Sequence, residues 1–366
     1  MKKWHVLWLP VLAATGVAGA ALPPMGSSAK IMSPRFFPGW QMHNVCYPFV
    51  IPEPGTGKYR MYYAGSATEQ INDSLADQWV TGYVTSSDTL NWAYPISYEQ
   101  VLFARRLMEG DVVDPDEMAG VFDSMYAIGA CLRVEGSTWK VWYTGWNGQT
   151  ETTGPGTCRK VNFRIGYATS PDGIRWTKVV GTSDGGAVLG LGNPGDLDAK
   201  GVAHPYVLKI GGTYHLWYEG YDGTTWRLFR ATSADGQAWN KQGIVLSPGD
   251  GGSRDQLGLR NPLVLSRKGK YELWYQGQSA SAPNFHVMRA TSSDALSWDR
   301  ASGEVTLHPD TAVSGDDSIF VDSVIVQGNG SVQVFFAKQT TSTRTVRYDT
   351  TITRKNYSIY TEVVNP

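Results

Sequence analysis

One aromatic strand pattern returns five times along the chain. It reads "YRMYYAG", "WKVWYTG", "YHLWYEG", "YELWYQG" and, in degenerate form, "VQVFFAK", starting at residues 59, 139, 214, 271 and 332. Segments rich in aromatic and β-branched residues are typical of buried strands, and a Gly closes four of the five copies. A chain that repeats one strand pattern in this way builds its core from repeated units.

Two further elements accompany each aromatic strand. A ten-residue segment precedes it, as in "DAKGVAHPYV" from Asp198 and "DQLGLRNPLV" from Asp255, and related segments start at Gln41, Asp123 and Asp316. The turn S-x-D-x-x-x-W follows it at residues 86–92, 170–176, 233–239 and 292–298. In such a turn Ser and Asp cap backbone N–H groups, and Gly adopts a positive φ. The unit therefore reads strand, Gly turn, aromatic strand, third strand and Trp turn.

This repeat predicts an all-β fold, a five-bladed β-propeller with four antiparallel strands per blade over residues 41–366. Helical solenoids are excluded because no repeat has an amphipathic helical pattern. The last unit has its third strand in "TRTVRYDTT", residues 343–351, and lacks the Trp turn. We therefore expect the N-terminal segment, residues 21–40, to lend an outer strand from within residues 27–40 that closes the ring.

The first twenty residues have the pattern of a secretory signal peptide. Lys2 and Lys3 precede a largely apolar stretch, and Ala18-Gly19-Ala20 supplies small residues for cleavage. A membrane anchor is the alternative interpretation. No later stretch reaches membrane-spanning length, so we expect no membrane contact after cleavage and a secreted or periplasmic protein.

Composition limits the partners of the chain. Its 32 Lys and Arg residues balance 33 Asp and Glu residues, which excludes the basic field that nucleic acids or anionic lipids require. Of Cys46, Cys131 and Cys158, two could pair in an oxidising compartment, and spacing does not say which. Their spacing does not match a zinc site. We expect a monomer.

The segments "GVAHPYVLKIGGTYHLWYEGYDG" and "YATSPDGIRWTK" carry a family resemblance. There the chain resembles the five-bladed propeller glycoside hydrolases, which include arabinanases, family 43 β-xylosidases and fructan hydrolases, over about residues 41–350. The resemblance implies a carbohydrate substrate, no cofactor, and three carboxyl groups at the starts of the inner strands that act as base or nucleophile, as general acid and as pKa-tuning group.

The chain departs from that family pattern in its early blades. Tyr47-Pro48 stands where the family has Asp-Pro, the third inner strand has His204 in the neighbourhood of an expected Glu, and the fructan-hydrolase motif W-M-N-D-P is absent. A related group that acts on agar oligosaccharides resembles this arrangement more closely, because it uses a His as acid beside Asp residues.

The resemblance and the repeat together give a set of site residues. We expect catalysis from Asp123, Asp198 and His204. The expected substrate-binding residues are His43, Asn44, Trp146, Glu219, Asp255, Arg260, Asn261, Asp316 and Asp322. Acids that converge on one funnel raise one another's pKa values, which suits a general acid. Two alternatives remain open: the recurring Asp caps the strand start, and His204 is a packed side chain.

Irregular positions in the repeat add further hypotheses. Glu219 stands where other blades have Thr144 and Gln276, which favours substrate contact, and Trp146 lies in a loop that could stack on a sugar. An acidic cluster could bind a hard cation such as Ca²⁺ through oxygen ligands, although a solvated acidic loop is the interpretation we favour. The cluster comprises Asp111, Asp114, Asp116 and Glu117.

The sequence therefore predicts a secreted or periplasmic glycoside hydrolase that acts on a poly- or oligosaccharide by carboxylate general acid/base chemistry. The alternatives are a non-catalytic carbohydrate-binding propeller and a scaffold in exopolysaccharide processing.

Overall fold

The structure, a computed structural model, describes residues 22–25, 27–33, 44–66, 70–71, 79–94, 121–154, 157–280, 285–300, 303–307, 318–346 and 350–365. Strands dominate these ranges, and the helical structure within them is a 3-10 turn at Asp184–Gly186. The signal-peptide residues, His43, Asp316 and the acidic cluster at 111–117 lie outside the described residues.

Five antiparallel sheets form the blades, each with its inner strand first in the following lists. The first blade contains β2 (Asn44–Glu53), β3 (Lys58–Ser66) and β5 (Trp79–Ser86). The second contains β6 (Tyr126–Glu135), β7 (Thr138–Trp146), β10 (Arg164–Ser170) and β11 (Thr177–Val179). The third contains β12 (Gly201–Ile210), β13 (Thr213–Tyr221), β14 (Trp226–Ser233) and β15 (Asn240–Leu246).

The fourth and fifth blades follow the same plan. The fourth contains β16 (Gly258–Arg267), β17 (Lys270–Gln278) and β18 (Phe285–Ser292). The fifth contains β19 (Ser318–Val326), β20 (Val332–Val346), β21 (Thr350–Val364) and β1 (Ser28–Met32). The short strand β4 (Gln70–Ile71) pairs with β21, and β8 (Thr150–Gly154) and β9 (Thr157–Lys160) form a separate hairpin.

The inner strands close a ring. Strands β2, β6, β12, β16 and β19 each pack against the next, and β19 packs against β2. The N-terminal strand β1 pairs antiparallel with β21, so the first and last described strands complete one blade. The fold is therefore the predicted five-bladed β-propeller. Within the described residues the first and fourth blades show three named strands, extended by bridges at Thr85–Ala93 and Thr291–Asp299.

The assignment of the last third strand was wrong. Residues 343–346 of the "TRTVRYDTT" segment continue β20, and the third strand starts at Thr350. The strands β20 and β21 pair over fifteen residues from Val332↔Val364 to Val346↔Thr350, so this hairpin extends well beyond the repeat length of the other blades.

The recurring Trp turn joins neighbouring blades. Gly173 (φ 72°) and Gly236 (φ 81°) occupy its left-handed position, and their carbonyls accept hydrogen bonds from the preceding blade. Tyr62 Oη donates to Gly173 at 2.7 Å, and Trp142 Nε1 donates to Gly236 at 2.7 Å. These bonds and the buried aromatic strands pack the blades together, which agrees with the structural role expected for the repeat.

Cys46 and Cys131 are both buried thiols, so they do not form a disulfide with each other. The Cys131 thiol instead lies against the next blade, where it accepts a hydrogen bond from Val207 N at 3.3 Å. The side chain of Cys158 lies outside the described part of the chain. Across the described residues, no helix has both the length and the apolar character that crossing a membrane requires.

Candidate functional site

The inner strands share a bulge close to their starts. In each pairing of an inner strand with its neighbour the register shifts, for example between Ala203 and Tyr206. At three bulges a non-Gly residue before Pro has a left-handed backbone: Tyr47 (φ 53°), His204 (φ 47°) and Asn261 (φ 49°). Such a conformation is unfavourable for non-Gly residues and is often found at functional sites. A bulge also redirects side chains, and here these three line one pocket.

This axial pocket has a cavity volume of about 30 Å³, enough for a water molecule. It is lined by Tyr47, Phe49, His204, Pro205, Tyr206, Asn261, Pro262, Leu263, Val321 and Asp322. These residues come from four of the five inner strands. The starts of these inner strands therefore meet at a common pocket. Asp322, His204 and Asn261 line it, whereas Asp123, Asp198 and Asp255 do not.

Glu219 anchors the polar side of the pocket. It is fully buried, and its Oε1 accepts hydrogen bonds from His204 Nδ1 at 2.6 Å and from Arg260 Nη2 at 2.7 Å. Its Oε2 accepts from Arg260 Nε at 3.2 Å and from Asn261 N at 3.0 Å. Burial alone would raise the pKa of Glu219, but the charge of Arg260 and the hydrogen bonds of Arg260 and His204 hold that pKa well below its usual range. Glu219 is therefore ionised.

Asp322 is the opposite case. Its Oδ1 accepts a hydrogen bond from Asn261 Nδ2 at 3.1 Å, and its buried Oδ2 has no partner among the described residues. Burial, and then the negative charge of Glu219, raises the pKa of Asp322 well above its usual range. Two carboxyl groups linked through Asn261 thus have their pKa values shifted in opposite directions. Such a shift lets one site hold a protonated carboxylic acid beside an ionised carboxylate.

His204 connects the ionised carboxylate to the pocket. An ionised Glu219 can only accept, so His204 Nδ1 carries the shared hydrogen, and in the neutral ring Nε2 has a lone pair. This Nε2 atom is buried and has no hydrogen-bond partner within the described ranges. The Tyr47 ring packs on the imidazole with centroids 5.4 Å apart, and burial raises the pKa of the Tyr47 phenol well above its usual value.

Arg260 occupies the outer side of this network. Its guanidinium lies 4.4 Å from the centroid of the Trp226 ring, so it is held between an indole and the Glu219 carboxylate. Of the twelve expected site residues, the structure brings five together in this network: His204, Glu219, Arg260, Asn261 and Asp322.

Asp123, Asp198 and Asp255 occupy a different environment. Each is buried and accepts a hydrogen bond from the Tyr twenty positions later, at 2.8, 3.1 and 2.9 Å respectively. Each also pairs with a cation of its own blade, namely Lys178, Lys241 and Arg300. None of the three lines the axial pocket. This geometry favours the alternative interpretation, in which the recurring Asp is a structural cap.

The same environment explains the Gly that closes the aromatic strand. A Cβ at Gly220 would lie 2.7 Å from the Cβ of Asp198, and one at Gly277 would lie 2.8 Å from that of Asp255. Real Cβ atoms do not approach so closely. The Tyr and Gly of the "WYxG" pattern therefore pack against the Asp that lies twenty residues before the Tyr.

The remaining site candidates lie away from the pocket lining. Asn44 is buried, and its Oδ1 accepts a hydrogen bond from Tyr357 N at 3.2 Å. Trp146 is 1% exposed, and its indole N–H donates to backbone carbonyls of Gln149 and Val161. Its ring therefore belongs to the core rather than to a surface that could stack on a sugar. Within the described ranges, no three His, Cys, Asp or Glu residues are grouped as metal ligands.

Sequence reasoning gave Tyr47 no role, although it lines the pocket and packs on His204. A signal was present, because the residue before Pro in three of the five repeats is Tyr47, His204 or Asn261. Residues that precede Pro avoid helical backbone, and a polar or aromatic residue there at the start of an inner strand marks a bulge.

No protein-family profile matches the chain. Two uncharacterized proteins of Mycobacterium tuberculosis are each 30% identical over 190 residues, which cover 49% of this chain and 56% of theirs. The match thus spans about half the length of these relatives.

Solved structures give a broader match. A protein of the GH130 family superposes with a TM-score of 0.59 at 16% identity, covering 93% of this chain and 95% of the other. That family of mannoside phosphorylases is described as containing glycoside hydrolases that target β-1,2 mannosidic linkages in Candida mannan. The family 117 glycoside hydrolase of Zobellia galactanivorans has a TM-score of 0.56 at 13% identity, covering 91% and 89%.

The family 32 β-fructofuranosidase of Bombyx mori also has a TM-score of 0.56, at 15% identity, covering 86% of this chain and 58% of the enzyme. The structural neighbours are five-bladed propeller glycoside hydrolases, and at these identities the likeness establishes the fold. The more specific resemblance to family 43 receives no support from these comparisons.

Proposed function

We propose that the protein is a glycoside hydrolase that cleaves a poly- or oligosaccharide at the mouth of the axial pocket, whose cavity has room for the attacking water. One observation carries the proposal: two buried polar atoms without partners in the described structure, His204 Nε2 and Asp322 Oδ2, belong to residues that line the same pocket. Buried polar atoms are rarely left without hydrogen bonds, and those at a concave site are candidates for contact with substrate or water. The propeller fold shared with glycoside hydrolases supports this reading by analogy.

The two residues have opposite roles in proton transfer. Asp322, with its raised pKa, is the general acid and donates its proton to the glycosidic oxygen as the bond from that oxygen to the anomeric carbon breaks. His204 Nε2 is the general base and takes a proton from the water whose oxygen bonds to the anomeric carbon. The products are a free sugar and an alcohol, and solvent returns the proton from His204 to Asp322.

Glu219 is a positioning residue in this scheme. Its carboxylate fixes the His204 ring orientation through the 2.6 Å contact at Nδ1 and stabilises the imidazolium that forms when Nε2 takes a proton. The Tyr47 ring restrains the other side of the imidazole. We further propose that the chain is exported, as residues 1–20 predict, which would place this site among extracellular glycans.

The test removes each proton-transfer group separately. In Asp322→Asn and in His204→Gln we expect turnover of a polysaccharide, measured as released reducing ends, to fall by at least about 100-fold. Thermal unfolding should show that both variants fold, and Asp322→Asn should unfold at or above the wild-type temperature because it lacks the buried carboxyl. Asp250→Asn, an exposed carboxyl outside both cavities, is the matched control and should keep full turnover. Wild-type turnover in either pocket variant, or no product from the wild-type protein on any polysaccharide of a broad panel, would refute the proposal.

A second candidate function is a carbohydrate-binding propeller without catalysis. It is favoured by the saturation of Glu219, whose two oxygens already accept four hydrogen bonds. Isothermal titration that shows oligosaccharide binding by the wild-type protein, together with no reducing sugar released over a day, would select it over the enzyme.

A further inference from the structure

A second, larger cavity lies at the junction of the second and third blades. It measures about 880 Å³, within the range of ligand-binding sites and far larger than the axial pocket. One wall is the connection from β11 to β12, between Ser183 and Lys200, and the other is the turn at Asp222–Thr224 that joins β13 to β14. We call this cavity the interblade groove.

The interblade groove and the axial pocket open at the same end of the third blade. Gly201, which follows the groove wall, pairs with Tyr221, which precedes the groove turn, and two residues further along Ala203 pairs with Glu219. His204 comes next on β12. Gly201 and His204 are three positions apart on β12, so the backbone beside the groove lies about 10 Å from the backbone of His204.

The groove walls are held in place without a ligand. Asn193 N donates to Asp196 Oδ2 at 2.8 Å, and Asp196 N donates to the Asn193 carbonyl at 2.9 Å. In the opposite wall, Asp222 Oδ1 accepts from the backbone N–H groups of Thr224 and Thr225, both at 2.7 Å. A preformed site loses little conformational entropy when it binds a ligand.

The charge of the walls restricts the ligand. Asp184, Asp196 and Asp222 line the groove. Asp222 is paired with Arg227, and the single lining cation, Lys200, is paired with Glu151 of the β8–β9 hairpin, so Asp184 and Asp196 give the lining its negative charge. Carboxylates accept hydrogen bonds from hydroxyl groups and repel carboxylate or sulfate groups. The walls therefore suit a polyhydroxylated ligand that carries no negative charge.

We propose that the interblade groove binds an uncharged, hydroxyl-rich segment of the glycan whose reacting linkage lies at the axial pocket. This inference rests on the proposed function for its substrate, and it specifies that the substrate is a neutral chain of several sugars rather than an anionic glycan.

The experiment measures binding rather than turnover, so that the groove and the axial chemistry can fail independently. Isothermal titration is done in the Asp322→Asn background with mannopentaose, xylopentaose and cellopentaose as neutral probes, and with pentagalacturonate as the anionic probe. We expect at least one neutral probe to bind and pentagalacturonate to bind at least about tenfold more weakly.

An obstructing variant locates the binding. Asn193 is exposed in the groove wall, and Asn193→Trp should fill part of the cavity and weaken the neutral probe by about tenfold or more. Asn240→Trp is the matched control, since Asn240 is exposed on β15 outside the groove lining, and it should leave the affinity unchanged. Thermal unfolding checks that both variants fold. Unchanged affinity in Asn193→Trp, equal or tighter binding of pentagalacturonate, or binding of no neutral probe would overturn the inference.

Discussion

The propeller contains two sets of carboxyl groups at the starts of its blades, and they differ in how they are neutralised. Asp123, Asp198 and Asp255 each have a Tyr hydroxyl and a cation from the same blade. Glu219 and Asp322 share one network at the axis, in which Arg260 pairs with Glu219, and within the described residues no ion pair involves Asp322. The repeated carboxyls are thus saturated by contacts within their own blades, whereas the unrepeated Asp322 keeps an oxygen without a partner in the described structure.

The physical reason is charge balance. In the repeated set every carboxyl has its own cation, and the side chains of Lys178, Lys241 and Arg300 are about one-third exposed. At the axis two nearby carboxyls cannot both ionise at low cost, so one stays charged beside Arg260 and the other keeps its proton. Only the axial set therefore holds both a proton donor and a carboxylate.

The largest expected effect is a difference in the free energy of unfolding between variants of the axial and the repeated carboxyls. Glu219→Gln removes a fully buried carboxylate that pairs with the partly buried Arg260 and accepts a hydrogen bond from His204, and we expect it to lower the free energy of unfolding by about 3 kcal/mol. Asp198→Asn should cost only about 1–2 kcal/mol, because Lys241 can turn to solvent and the Asn oxygen still accepts from Tyr218. Urea unfolding measures both values.

Turnover separates the two variants further. Asp198→Asn should keep the wild-type kcat once folded, whereas Glu219→Gln should lower kcat because His204 loses its orienting charge. A large loss of kcat in Asp198→Asn, with stability intact, would place the repeated set in the chemistry and break the comparison.

The second prediction concerns the pH dependence of stability. Because the pKa of Asp322 is raised in the folded state, above about pH 4 the folded chain keeps a proton that the unfolded chain has lost. The unfolding free energy then falls as pH rises toward the folded pKa, by up to about 1.4 kcal/mol per pH unit. Urea unfolding from about pH 5 to pH 7 should show this slope in the wild-type protein and a shallower one in Asp322→Asn.

Folding shifts the pKa of Glu219 in the opposite direction, so its contribution to stability depends on pH with the opposite sign. Its pKa is lowered on folding, so its stabilisation is present above its unfolded pKa, near pH 4, and is lost as pH falls below that value. Identical slopes in the wild-type protein and Asp322→Asn above pH 5 would mean that the pKa of Asp322 is not raised on folding.

The smallest effect tests the repeat itself. Ala295 holds the left-handed position of the Trp turn (φ 61°) that Gly173 and Gly236 hold elsewhere, and Ala is strained there. Ala295→Gly should stabilise the protein by about 0.5–1 kcal/mol, since relief of strain exceeds the added chain entropy. Thermal unfolding measures the change.

The reciprocal substitution supplies the control. Gly236→Ala should destabilise the protein, because its Cβ would lie 2.9 Å from the Trp142 ring at φ 81°. Destabilisation by Ala295→Gly would show that the turns are not equivalent despite their common sequence.

The fold could be predicted from the sequence because every blade repeats the same local sequence patterns. Aromatic strands, a Gly turn and the Ser-Asp-Trp turn recur at similar spacing, and each recurrence supports the others. The site was accessible only in part. The sequence singled out His204 and Glu219 as irregular positions, but it assigned catalysis to Asp123 and Asp198, whose Tyr and Lys partners are far along the chain.

What the sequence determined by itself was the architecture and its repeated contacts, since these depend on local patterns that reappear in each blade. Tertiary structure alone decided which carboxyl keeps its proton. A pKa depends on burial and on charges brought close by folding, and Glu219, Arg260 and Asp322 meet only when three separate blades converge at the axis.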